Sequence, residues 1–406
     1  MRILHCAEHY SPSTGGIQEA VRQISEGLVR GGHDVTVATS RHSDRENLEI
    51  NGVKVREFDI TGNQVRGYRG DIDRYRHFLE HQDFDILTLF AAQQWSADLA
   101  FPLLSKMAGR NVFVPTGFSA LRNKYYHSYF EAMPGWMRQC DAHVFQSETY
   151  QDIQFARQNN ISPLYVIPNG ASEKEFAPME GRLLSQHLGI PEKAFLIVHV
   201  GSFLRDKGQW DAIRIFRRAG LQKATLLCIG NPASARFFHF CRLLAFLYNR
   251  EPGRSRDHNR ILMTSLTRAD TVCALQNADL FLFPSRRECS PIVLFEAAAS
   301  RTPFLATDVG NAAEIAAWTG DGQILPTSKD GEGRALANIE ESARILWELC
   351  NDRDHLQRMG EEGQRVWKEK FTWESIAKQY ERLYADVCGI RSPIESRKNP
   401  DCCTPN

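Results

Sequence analysis

A regular alternation constrains this chain more than any other feature. Short apolar runs of strand length take turns with stretches of helical period. The runs are RILHCA (2–7), DVTVATS (34–40), VKVREF (53–58), DILTLF (85–90), NVFVPT (111–116) and AHVFQS (142–147). After a Pro/Asn/Gly-rich break, PLYVIPNGASEKEFAP (163–178), the pattern resumes. FLIVHVGS (195–202), ATLLCIG (224–230), ILMTS (261–265), DLFLF (279–283), PFLATD (303–308) and GQILP (322–326) follow. Parallel strands covered on both faces read as near-continuous apolar runs. Their alternation with helices implies parallel sheets sandwiched between helical layers. The break near 170–190 divides the pattern into two doubly wound α/β domains.

Composition removes several classes of function. Lys+Arg and Asp+Glu both number 49 in 406 residues, so no global field points to nucleic acid. The ten cysteines are scattered with no CxxC pair, which fits reduced thiols rather than a disulfide frame or zinc site. MRILHCAEHY is too short an apolar run for a signal peptide, and no stretch of about eighteen apolar residues suggests a membrane span. A cytoplasmic protein is expected.

Doubly wound sheets bind ligands at the carboxyl ends of their strands. Three loops lie there. In Ser13-Thr14-Gly15-Gly16 the glycines admit a phosphate against the backbone and the helix start adds positive potential, though a plain tight turn has the same sequence. In the loop Gly201–Gly208, Ser202 follows the strand, and Arg205 and Lys207 carry the charge to neutralise a diphosphate; a solvated charged loop is the alternative. The third loop follows DLFLF. Glu288 stands in a polar connection, Ser290 is placed to cap a helix, Pro291 suits its first position, and Ile292 follows. That helix is expected to run to about Arg301 and carries Glu296. Two carboxylates around an anion seat suggest a nucleotide-sugar site. His9, Thr116 and His127 are acceptor-side candidates, and Cys289 beside a helix start is read as having a lowered pKa or a role in shape. Asp71/Asp73 and Asp83/Asp85 read as a helix face and a strand entry, and no metal site is expected.

Five segments in order resemble the retaining family-4 glycosyltransferases of the GT-B fold. They are the Gly15-Gly16-Ile17 turn with RGGHDVTVAT, VIPNGASEKEFAP, VGSFLRDKG, ADLFLFPSRRECSPIVLFEAAASRTPFLATDVGNAAEI and FTWESIAKQYERLY. The resemblance implies two Rossmann-like domains around a cleft. Residues 1–180 would form the acceptor domain and 181–370 the donor domain. A helix over 371–388 would cross back to the first domain, and a disordered tail would follow from 389. It implies retaining transfer of a sugar from a nucleotide diphosphate sugar, UDP- or GDP-linked, to a glycan or lipid-linked hydroxyl, with no metal or other cofactor. By the resemblance Glu288 faces the donor sugar, Glu296 holds the ribose, and Lys207 grips the diphosphate. Backbone amides near Gly16 and from Ser290 to Ile292 touch phosphate or sugar. Two positions depart from the family's pattern: Ser202 stands where arginine is usual, with Arg205 offered as its substitute, and Thr116 stands where histidine is common. A nucleotide-sugar epimerase or a non-catalytic nucleotide-sugar binder are the alternatives.

Residues 235–260, ARFFHFCRLLAFLYNREPGRSRDHNR, are an apolar stretch followed by Arg250, Arg254, Arg256 and Arg260. Such a segment suits peripheral contact with an anionic membrane, with Lys124–Trp136 adding aromatics. Packing of both against the protein itself is the favoured expectation.

Overall fold

A computed structural model describes residues 1–177, 188–191, 194–250 and 259–390. The boundary at 180/181, Arg254, Arg256 and the tail from 391 lie outside the described residues.

The apolar runs form two separate sheets. The first contains β1 (Arg2–Cys6), β2 (Asp34–Ser40), β3 (Glu49–Ile50), β4 (Val53–Phe58), β7 (Ile86–Phe90), β8 (Arg110–Val114), β9 (Ala142–Phe145) and β10 (Leu164–Val166). A hairpin, β5 (Ile60–Asn63) and β6 (Gly67–Gly70), stands apart from it. The strand order is β10-β9-β8-β7-β1-β2-β4-β3, parallel except for β3 against β4. The second sheet contains β11 (Phe195–Val200), β12 (Ala224–Ile229), β13 (Arg260–Thr264), β14 (Leu280–Phe283), β15 (Phe304–Thr307) and β16 (Gly322–Leu325). Its order is β13-β12-β11-β14-β15-β16, and every pairing is parallel. A second hairpin, β17 (Thr327–Lys329) and β18 (Ala335–Ala337), follows it. In both sheets the order reverses direction beside the first strand, β1 or β11. These are the switch points where such folds open a crevice.

The helix Trp373–Val387 fixes how the chain ends. Thr372 caps it by accepting from the Ser375 N–H at 3.1 Å. Its apolar face, with Trp373, Ile376, Tyr380, Leu383 and Tyr384, is buried in the core of the first domain among Ile3, Val21, Ile24 and Val37. The Tyr384 hydroxyl meets Thr88 Oγ1 at 2.7 Å and His5 Nε2 at 3.1 Å, and His5 Nδ1 meets Ser25 at 2.8 Å. Burial pushes the His5 pKa down to about 3, so its ring is neutral in this network. A helix that follows the second domain in sequence therefore completes the core of the first.

The domains are also tied face to face. Glu314, in the helix Ala312–Thr319, accepts from the Ser147 hydroxyl at 2.6 Å, from the Glu148 N–H at 2.8 Å and from the Thr149 N–H at 3.0 Å. A carboxylate fed by several donors is a strong acceptor, roughly twice a neutral one.

Candidate functional site

The carboxyl ends of β1, β8, β11, β12 and β14 face one another across a cleft of 940 Å³. Gly16 opens the helix Gly16–Arg30 on one side, and the helix Ile292–Ala299 opens on the other. The two starts nearly touch: a Cβ on Gly16 would lie 3.9 Å from Ile292 Cδ1. Two sets of unpaired helix N–H groups thus meet at one place, an arrangement that favours an anion.

The start of the second helix differs from the sequence reading. Pro291, not Ser290, occupies the capping position, and the helix ends at Ala299 rather than near Arg301. Ser290 is committed elsewhere: its Oγ accepts from Asn311 at 3.1 Å and its carbonyl accepts from Asn169 at 2.9 Å. No side chain caps this helix, so its N–H groups remain turned toward the cleft walls.

Lys207 ends a short 3-10 turn, Arg205–Lys207. The next residue, Gly208, has φ +82°, and a Cβ there would fall 2.0 Å from the Pro284 carbonyl oxygen. Only glycine allows the turn to lie that close to the β14 loop. The turn delivers Lys207 Nζ to 2.8 Å from Glu288 Oε1, which also accepts from the Ser285 hydroxyl at 2.7 Å. Arg205, two residues earlier, is exposed and is not part of the cleft wall. The structure thus leaves Arg205 outside the wall that Ser202 and Lys207 line.

Arg22, Arg268 and Arg287 also bring positive charge to the cleft wall, and of these the sequence reading missed Arg268 on the donor side. Arg268 starts the helix Arg268–Gln276 beyond β13, at the carboxyl end of a strand, so the rule that located the other loops applied here too. Its guanidinium lies 2.6 Å from Glu296 Oε1 and 2.7 Å from Glu175 Oε2. Burial opposes the charge on Arg268, but Glu296 and Glu175 outweigh it and raise its pKa above the ordinary guanidinium value. Arg22, from the first helix, approaches Glu175 at 3.9 Å and Glu19 at 2.7 Å. An ion chain from Glu296 to Glu19 therefore spans the cleft.

The opposite wall carries backbone strain. Ala91, Gln93, Thr116 and Phe118 all have positive φ, between 48° and 65°, just beyond β7 and β8. For β-branched Thr116 this is a genuine outlier, and such outliers gather at functional sites. Thr116 and Ser202 both line the cleft, as do Gly15, Pro291 and Ile292. At Gly117 a Cβ would sit 2.8 Å from that of Cys289, so the two loops are fitted to each other. The Cys289 thiol is pushed well above its usual pKa by burial, against the expectation of a lowered one. Its part is shape.

Besides Arg205, two candidates fall outside this cleft. His9 is exposed and does not line it. His127 is 75% exposed and pairs with Glu131 at 3.4 Å. Among the described residues no group of three or more His, Cys, Asp or Glu side chains is set to hold a metal ion.

Comparison with known proteins covers nearly the whole chain. Residues 14–175 match Glycosyltransferase Family 4, and residues 182–366 match Glycosyl transferases group 1. N-acetyl-alpha-D-glucosaminyl L-malate synthase of Bacillus anthracis is 27% identical over 61% of this chain and 58% of its own length. D-inositol 3-phosphate glycosyltransferase of Corynebacterium urealyticum is 24% identical over 98% of this chain and 99% of its own. The matches to the first two curated relatives span only 58% and 51% of those proteins. Among solved structures, sucrose-phosphate synthase of Thermosynechococcus elongatus has a TM-score of 0.77 at 17% identity, covering 96% of this chain and all of its own. Anabaena HepE, solved with UDP-glucose, has a TM-score of 0.72 at 15% identity over 95% of this chain and 100% of its own. The structural likeness establishes the GT-B fold.

Proposed function

The chain belongs to glycosyltransferase family 4, and on that premise we propose that it is a retaining, metal-independent transferase. It moves a sugar from a nucleotide diphosphate sugar, UDP- or GDP-linked, to a hydroxyl of a growing glycan. The observation that carries this reading is the meeting of Lys207, Glu288 and the two helix starts in one cleft. The diphosphate takes the helix N–H groups and Lys207, Glu288 faces the sugar, and Glu296 holds the ribose with Arg268 orienting its carboxylate. Cleavage of the sugar–phosphate bond builds negative charge on the leaving diphosphate. Fixed donors aimed at that charge are the largest single source of rate enhancement in many enzymes. Arg268, rather than Arg205, supplies the charge that Ser202 leaves out. Thermal denaturation with UDP-, GDP- and ADP-sugars tests the reading: one base class should raise the melting temperature, and slow transfer or hydrolysis should accompany it. No shift with any of the three, and no hydrolysis, would sink it.

We also propose that the enzyme works at the inner membrane face on a lipid-linked acceptor. The helix Ala235–Asn249 supports this. Phe240, Leu243, Phe246 and Leu247 are 45–54% exposed on its outer side. Arg236, Arg242 and Arg250 flank them, Arg250 lies 4.3 Å over the Phe246 ring, and the helix holds no acidic residue. An exposed apolar face on a helix whose charged side chains are all cationic complements an anionic lipid surface. The 124–136 segment does not share this role. Tyr126, Tyr129 and Phe130 are buried, Trp136 stacks on Phe101, and among the segment's large hydrophobic side chains only Tyr125 is strongly exposed. No helix among the described residues is long and apolar enough to cross a membrane. The protein is expected to float with vesicles containing phosphatidylglycerol, and a Phe240→Ser/Leu243→Ser/Leu247→Ser variant to remain behind. Equal flotation of the two, or none by the wild type, removes the surface assignment.

A further inference from the structure

Beyond Glu288 lies a second cavity, of 500 Å³. The first domain contributes the 119–122 loop and the helix Gln151–Gln158. The second contributes residues 286–288, the 308–310 loop and the tip of the β17–β18 hairpin. Ser119, Tyr150, Arg287 and Glu288 line this cavity and the donor cleft alike, so the two spaces share a wall. A molecule held in the second cavity abuts the place where the donor sugar would sit.

The charges there are unevenly engaged. Arg286 is held by Asp211 at 2.7 Å, and Glu288 by Lys207. The remaining cations are Arg122, Arg287 and Lys329, facing the carboxylates of Asp308 and Glu332. Arg287 and Lys329 stand 3.7 Å from Glu332 and Asp308 respectively, beyond hydrogen-bond length, and all four side chains are more than 40% exposed. Arg122 makes no ion pair among the described residues. Its guanidinium lies over Gly333, where a Cβ would meet Nη1 at 2.9 Å. Cations from both domains thus converge with donors to spare, and one positive charge is uncompensated. Loose, exposed pairs are weak, so an incoming oxyanion displaces them at little cost.

We propose that this second cavity binds the acceptor, and that the acceptor is anionic, its phosphate or carboxylate oxygens held by Arg122, Arg287 and Lys329. The inference rests on the nucleotide-sugar reading, since it needs a donor beside Glu288. With the anionic end fixed at the hairpin, a hydroxyl at the other end reaches past Glu288 to the sugar. The acceptor oxygen bonds to the anomeric carbon as the bond from that carbon to the diphosphate breaks. The hydroxyl proton passes to the leaving phosphate oxygen.

Calorimetry on protein saturated with the nucleotide diphosphate picked out by the donor screen tests this, with glucose 6-phosphate and glucose as probes. Glucose 6-phosphate is expected to bind and glucose not. Arg122→Gln/Lys329→Gln removes two of the three cations and should weaken that binding by at least about tenfold, the least expected from losing a charge-assisted hydrogen bond. Neither residue lines the donor cleft, so nucleotide affinity should not change. Added salt should weaken the phosphate ester alone. Equal binding of the two probes, binding of neither, or wild-type affinity in the double variant overturns the inference and leaves the donor reading intact. Failure of any nucleotide to bind overturns both.

Discussion

Lys207→Ala is expected to lower kcat by about 10²–10³-fold, the usual cost of removing one donor that stabilises developing charge. Lys207 is well placed for such a loss. Its Nζ is anchored 2.8 Å from Glu288, its side chain is 32% exposed, and Gly208 locks the turn that carries it. The substitution removes the diphosphate's cation and also leaves Glu288 without its counter-charge, so donor affinity should fall as well. Arg205→Ala, on the outer side of the same turn, should leave turnover unchanged. Steady-state kinetics on both variants decide the matter. Wild-type kcat and donor KM in Lys207→Ala would remove the phosphate-clamp role.

The second large effect concerns stability. Trp373→Ala should destabilise the protein by about 3–5 kcal/mol, the range for truncating a buried tryptophan. Trp373 is 1% exposed and packs in the first domain's core, although it lies at the far end of the chain. Urea denaturation followed by circular dichroism measures this. Where the alanine variant does not accumulate, Leu383→Ala, on the same buried face, should cost about 2–5 kcal/mol. A loss below about 1 kcal/mol in either would mean that the helix merely rests on the domain.

The architecture was legible because buried parallel strands announce themselves as apolar runs and helices by their period. The hairpins β5–β6 and β17–β18, and the short strands β3 and β10 (the latter inside the 163–178 break), were not, since strands of two to four residues are too short to carry such a signal. Within the site, legibility stopped at the backbone turn. Arg205 and Lys207 look equivalent in sequence, yet the 3-10 turn sends only Lys207 into the cleft. Arg268 was overlooked although it too follows a strand, because its loop has no glycine-rich turn or paired carboxylates to mark it, and its contacts with Glu175 and Glu296 arise only in the fold. The two aromatic segments show the same limit. A run apolar on most faces does not say which face is covered: 124–136 turned inward, while 235–249 left Leu243 and Leu247 outside.

The place where the chain passes between domains has a mechanical consequence. The outgoing segment at Gly170-Ala171 and the returning one at Phe371–Trp373 lie side by side. The Ala171 N–H donates to the Phe371 carbonyl at 3.0 Å, and the Trp373 N–H donates to the Ala171 carbonyl at 3.3 Å. A Cβ on Gly170 would lie 2.5 Å from the Phe371 oxygen, so nothing larger fits between the two strands. The two crossings therefore form one double-stranded connection. An opening of the halves about this line would stretch neither crossing and would instead have to break the Glu314 clasp, the Asn311–Gln146 and Asn169–Ser290 hydrogen bonds and the Arg22–Glu175 contact. Along this line the halves are joined by backbone hydrogen bonds, whereas across the cleft they are joined by side chains.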